Sequence, residues 1–85
     1  MSDVWRFGVK LFASVREAVG HDSVTIDVPA GADVASLRAR LAEEYPPIGE
    51  RMRALGVAVN QAIVLDAHGL AEGDEVALIP PVGGG

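Results

Sequence analysis

Six residues, Pro80-Pro81-Val82-Gly83-Gly84-Gly85, hold the arrangement in this 85-residue chain that points most directly to chemistry. Three glycines follow a stiff proline pair and a valine. Glycine offers only backbone and ranges widely over φ/ψ. The segment is therefore expected to stay in solvent and to thread a slot too narrow for any side chain. At roughly 3.3–3.6 Å per residue it would hold the terminal carboxylate of Gly85 about 20 Å from the body, deep in a partner's active site. A frayed terminus would look the same from these residues alone, so the rest of the chain must decide.

The rest of the chain offers no catalytic constellation. His21 and His68 stand apart in loop-like segments, with no cysteine anywhere and no second histidine at metal-ligand spacing. Both read as surface histidines, and no metal site is expected. Ser23 and Ser36 lack a His/Asp framework, and Ser14 reads as a helix cap. Asp66 and His68 read as a local hydrogen bond in a turn. Glu72-Gly73-Asp74-Glu75 is too short for a calcium loop and reads as turn chemistry. The formal charge of −5 and seven scattered basic residues argue against nucleic acid. An acidic carrier suits a partner with a basic docking face. No apolar run reaches membrane-spanning length, and Met-Ser-Asp is no secretory signal, so a cytoplasmic protein without membrane attachment is expected.

The elements that must position the tail follow from periodicity. Phe7, Val9 and Leu11 alternate with Gly8, Lys10 and Phe12, a strand. Ser14-Val15-Arg16-Glu17 has the spacing of a capping box, and Gly20 stops the short helix that follows. Val24, Ile26 and Val28 point inward from a second strand, ended by Pro29-Ala30-Gly31. Asp33 is the N-cap of the main helix, whose apolar stripe is Val34, Leu37, Leu41 and Tyr45. Arg38, Arg40, Glu43 and Glu44 are expected to face mostly solvent. Pro46-Pro47 stops the helix. Met52 and Leu55 can form one more turn, with Gly56 as its stop. Short strands at 57–60 and 62–65 flank Asn60-Gln61, residues 70–74 turn, and 75–79 form the last strand.

The compressed order is β-β-α-β-β, an α+β fold in which one helix covers one face of a mixed sheet. Parallel pairing of the first and last strands would make them central, and right-handed connection favours it. Phe12 then lies opposite Val9 and Leu11, and Ile79 opposite Val76 and Leu78. Both point outward. With Val82 in the apolar exit they would form a patch beside the root of the tail, and such patches often mark docking surfaces.

Phe12-Ala13-Ser14-Val15-Arg16-Glu17, Val59-Asn60-Gln61, and the run from Glu72-Gly73-Asp74-Glu75-Val76-Ala77 through Pro80-Pro81-Val82 to Gly84-Gly85 resemble the small, sulfur-carrying subunit of molybdopterin synthase. The resemblance covers nearly the whole chain in order and length. It departs at Gly83, a position often held by another small or polar residue. It implies the ubiquitin-like β-grasp fold over residues 1–79, with residues 80–85 as a flexible tail. It also implies a non-catalytic carrier that binds no cofactor. A ubiquitin-activating-like adenylyltransferase would use ATP to adenylate Gly85, and sulfur would displace AMP to leave a thiocarboxylate. The large subunit of the synthase would receive Pro80, Pro81, Val82, Gly83 and Gly84 in a channel. Sulfur would pass to a pyranopterin precursor, forming the dithiolene. By the same resemblance Ile63 joins Phe12, Ile79 and Val82 in docking. The alternatives are a sulfur carrier for thiamin, cysteine or tRNA thiolation, a ubiquitin-like protein modifier, and a plain binding module.

Overall fold

The computed structural model describes residues 3–81. Five strands form one sheet: β1 (Val4–Leu11), β2 (Ser23–Pro29), β3 (Gly56–Val59), β4 (Ala62–Val64) and β5 (Val76–Ile79). The spatial order is β2-β1-β5-β3-β4. β1 and β5 run parallel, and the other neighbours are antiparallel. The compressed order was one strand short. Asn60 and Gln61 both adopt positive φ, 51° and 72°, as a two-residue hairpin requires. The chain therefore reverses there and makes two strands.

Burial alternates along β1, β2 and β5 because one face carries the helices. Phe7, Val9 and Leu11 of β1, Val24, Ile26 and Val28 of β2, and Val76 and Leu78 of β5 are buried. Helix α2 (Val34–Glu44) lays Val34, Leu37 and Leu41 on this surface. Asp33 caps it, its side chain accepting from the Ser36 N–H at 3.0 Å. Tyr45 packs against the core, and its hydroxyl donates to the Thr25 carbonyl of edge strand β2 at 2.8 Å. This mixed sheet with one main helix across a single face is the ubiquitin-like β-grasp.

Four local expectations need correction. Helix α1 (Ala13–Val19) starts before Ser14, with Phe12 as N-cap and no side-chain cap bond. The Phe12 carbonyl accepts from the N–H groups of Val15 and Arg16, so the first turn closes ahead of the serine and no capping box forms. Pro46-Pro47 ends α2 but also opens α3 (Pro46–Gly49), because proline's fixed φ suits the first turn of a helix. Met52–Ala54 forms a 3₁₀ turn, and Gly56 begins β3 rather than ending that turn.

The remaining corrections concern Arg38 and the Asp66–His68 turn. Arg38 is largely covered, its side chain 20% exposed. It donates to the Leu55 carbonyl at 2.8 Å, the Met52 carbonyl at 3.2 Å and the Asp66 carboxylate at 2.8 Å. Asp66 is thus engaged by Arg38, while its carbonyl accepts from Ala35 and that of His68 accepts from Val34. The His68 side chain is exposed, so the local Asp66–His68 bond is replaced by a tie between α2 and the loop before β5.

Candidate docking surface

The outward face of the sheet has no helix on it, and its side chains follow from the register. Lys10 on β1 stands beside Ala77 on β5, then Ala58 on β3, then Ile63 on β4. In the next row Ile79 on β5 stands beside Gly56 on β3. Small residues on the inner strands leave a floor, and larger ones form its walls. The result is a depression of about 380 Å³ whose walls include Phe12, Ile63 and Ile79. Phe12 is 44% exposed and Ile63 64% exposed, while Ile79 is half-buried. Lys10 and Glu75 are the charged residues on its margin.

Local backbone sets each wall. Phe12 is extended, with φ −132° and ψ 155°. Ala13 then takes φ 49°, in the left-handed region that costs an L-residue roughly 1–2 kcal/mol. That reversal sends the chain into α1 immediately after Phe12 and leaves the ring with the outward-facing residues. Ile63 sits on the outer edge of the hairpin whose turn is Asn60-Gln61. The turn is clamped: Asn60 accepts from the Glu75 N–H at 3.0 Å and donates to Asp74 at 3.0 Å. The other Asp74 oxygen accepts from the Ala71 N–H at 2.8 Å. Asn60 therefore fixes the hairpin tip against the turn that starts β5.

β5 ends at Ile79, and the tail residues begin there. Pro80 is half-buried and Pro81 is exposed. Val82, Gly83, Gly84 and Gly85 lie outside the described residues, so the depression brings together Phe12, Ile63 and Ile79 from the expected docking set. Sequence reasoning missed Ala58 and Ala77. Their signal was available as the small outward residues of Val57-Ala58-Val59 and Val76-Ala77-Leu78, but the floor needs the register of three strands.

The electrostatics around the sheet are those of solvent-exposed groups. No polar or charged residue is buried among those described. No group of three or more His, Asp or Glu among them could hold a metal ion. Arg6 grips Asp27 across β1 and β2 through two hydrogen bonds, of 2.8 and 3.2 Å. That contact holds the Asp27 carboxyl below its usual value. Among the described residues no helix is long and apolar enough to cross a membrane.

A family model described as the ThiS family matches residues 9–85. The chain is similar to the molybdopterin synthase sulfur carrier subunit of Dictyostelium discoideum, with 36% identity over 94% of this chain and 96% of that one. It is 42% identical to the subunit of the same name from Escherichia coli, over 91% of this chain and 96% of that one. The crystal structure of SAMP1 from Haloferax volcanii superposes with a TM-score of 0.83 at 31% identity, covering 94% of this chain and 99% of that one. One chain of the complex of subunits 1 and 2 of molybdopterin-converting factor from Helicobacter pylori superposes at 0.66 with 25% identity, covering 94% and 99%.

Proposed function

The chain belongs to the ThiS family, and on that premise we propose that it is a sulfur carrier serving as the small subunit of a molybdopterin synthase. The observation that carries the reading is the exposed apolar depression walled by Phe12, Ile63 and Ile79, next to the strand end from which Pro80-Pro81 leads to Gly84-Gly85. A carrier needs two parts, a face that docks and an end that reacts. The likeness to one chain of the Helicobacter pylori complex of subunits 1 and 2 supports a large subunit as the docking partner.

The chemistry of the proposal is acyl activation. A carboxylate is a poor electrophile, so an adenylyltransferase partner first joins the Gly85 carboxylate to AMP at the expense of ATP. Sulfide then attacks the acyl carbon, the C–O bond to AMP breaks, AMP leaves with the electron pair, and a thiocarboxylate remains. The thiocarboxylate is presented through the tail to the large subunit, which supplies the acid–base groups for sulfur transfer to the pterin precursor. Water then attacks the acyl carbon, the C–S bond breaks with the sulfur left on the pterin, and the carboxylate returns. The setting is cytoplasmic, since activation consumes ATP. Within the chain, Gly83 and Gly84 leave room for a narrow channel, and the folded body supplies affinity.

Single-turnover sulfur transfer from the thiocarboxylated chain to purified large subunit tests this. Gly84→Val is expected to abolish transfer with an unchanged melting temperature, because a β-branched side chain clashes in a glycine-sized channel. Full transfer by the variant would refute the threading role. The likeness to SAMP1 keeps one second reading, a ubiquitin-like modifier. Gly85 found in isopeptide linkage to other proteins in host lysate would favour it.

A further inference from the structure

Lys10 is the single lysine of the chain; the other six basic residues are arginines. The register sets this one amine inside the docking depression. It stands outward on β1 opposite Ala77 and lines the depression with Phe12, Ile63 and Ile79. It is exposed, and its side-chain amine has no ion pair or hydrogen bond among the described residues. Arginine keeps its proton in proteins, whereas a lysine amine can lose it and act as a nucleophile. Apart from the α-amine, Lys10 is therefore the one side-chain amine of this chain able to form a stable amide with an acyl group.

We propose that Lys10 is an acylation site whose donor is the activated Gly85 carboxyl of a second copy of this chain, and that the resulting link closes the docking face. The inference rests on the reading of Gly85 as an activated acyl group. The neutral ε-amine attacks the acyl carbon of the Gly85 adenylate. A C–N bond forms, the C–O bond to AMP breaks, AMP leaves with the electron pair, and the ammonium proton passes to solvent. The adenylate itself comes from ATP through the adenylyltransferase.

Reach and placement make the reaction consequential. Six residues of fully extended chain would span roughly 20 Å, enough to enter an open depression on another copy. The donor then loses the carboxyl that carries sulfur. The acceptor gains a glycyl branch between Phe12 and Ile63, where the large subunit must sit. One link thus disables two copies. A docked large subunit covers Lys10, so docking and self-acylation exclude each other.

The test uses the full chain with Gly85 as a C-terminal thioester, incubated alone and with excess large subunit, and read by intact mass and tandem mass spectrometry of tryptic peptides. The expected product is a two-chain species joined by a Gly85–Lys10 amide, reduced at least tenfold by Lys10→Arg and at least tenfold by the large subunit. Equal yield from Lys10→Arg, or linkage at the α-amine instead, overturns the site. In a second arm, acetylation of the unmodified chain with N-hydroxysuccinimidyl acetate is expected to weaken its binding to large subunit at least tenfold. The same treatment of the Lys10→Arg chain is expected to leave that variant's own binding where it was. Binding of the acetylated wild type at full strength overturns closure of the face. Sulfur transfer by the thiocarboxylated wild type is measured alongside. Transfer without any Gly85–Lys10 link sinks this inference alone, and absence of transfer sinks the carrier reading with it.

Discussion

Ile63→Ala separates docking from folding more cleanly than any other single change to the depression. Fully burying an isoleucine side chain is worth about 1.5–3 kcal/mol. In the free chain 64% of Ile63 is still open to solvent. Covering that share with a partner is therefore worth about 1–2 kcal/mol, and the share already covered contributes about 0.5–1 kcal/mol to the fold. Truncation to alanine is expected to weaken large-subunit binding roughly 5- to 30-fold, since each 1.4 kcal/mol is tenfold. Stability should fall by no more than about 1 kcal/mol, a few degrees in melting temperature for a domain of this size. Calorimetric titration of purified large subunit with each chain, beside thermal melts of the free chains, measures both quantities. Leu65, 81% exposed but not part of the depression, is the matched comparison. Wild-type affinity for Ile63→Ala, or an equal loss from Leu65→Ala, would refute the placement of the docking face.

Two further outcomes follow from the packing and the charges. Gly49→Ala puts a Cβ 2.8 Å from the Ala42 carbonyl oxygen, so α3 must move off α2; a loss of about 1–3 kcal/mol is expected in thermal melts, and an unchanged melting temperature would show that this contact is not close. Hydrogen bonding from Arg6 holds Asp27 below its usual value in the folded chain. That small stabilisation is present above the unfolded value and is lost as pH falls through the folded one. Arg6→Gln is expected to raise the Asp27 midpoint in an NMR titration, and an unmoved midpoint would assign the shift to another cause.

Strand and helix periods carried most of the architecture. The inward residues of β1, β2 and β5 and the stripe of α2 follow from alternation and from i, i+3, i+7 spacing, because burial of one face is what selects those patterns. Asp33 announced its helix because a carboxylate oxygen satisfies an N–H group only a few residues away. Ser14-Val15-Arg16-Glu17 carried the same kind of local signal and misled. Which residue caps a helix depends on how the preceding strand delivers the chain, and here the N-cap falls on Phe12, two residues before the serine. Pro46-Pro47 does end α2 as its sequence implies, and the same pair also opens α3, since proline suits the first turn of a helix.

What only tertiary structure decided are the contacts between segments far apart in the chain. Arg38 looks like a solvent-facing arginine on its helix, yet it binds carbonyls of residues 52 and 55 and the carboxylate of Asp66. Asn60 reads as a turn residue, yet it holds the hairpin to the segment that starts β5. The glycines of the tail and the outward parity of Phe12 and Ile79 are local properties, visible from composition and period 2. The floor of Ala58 and Ala77, and the entry of Lys10 into the same depression as Ile63, required the strand order β2-β1-β5-β3-β4. A period of two assigns each side chain to a face. Only the pairing of strands decides which neighbours it has on that face.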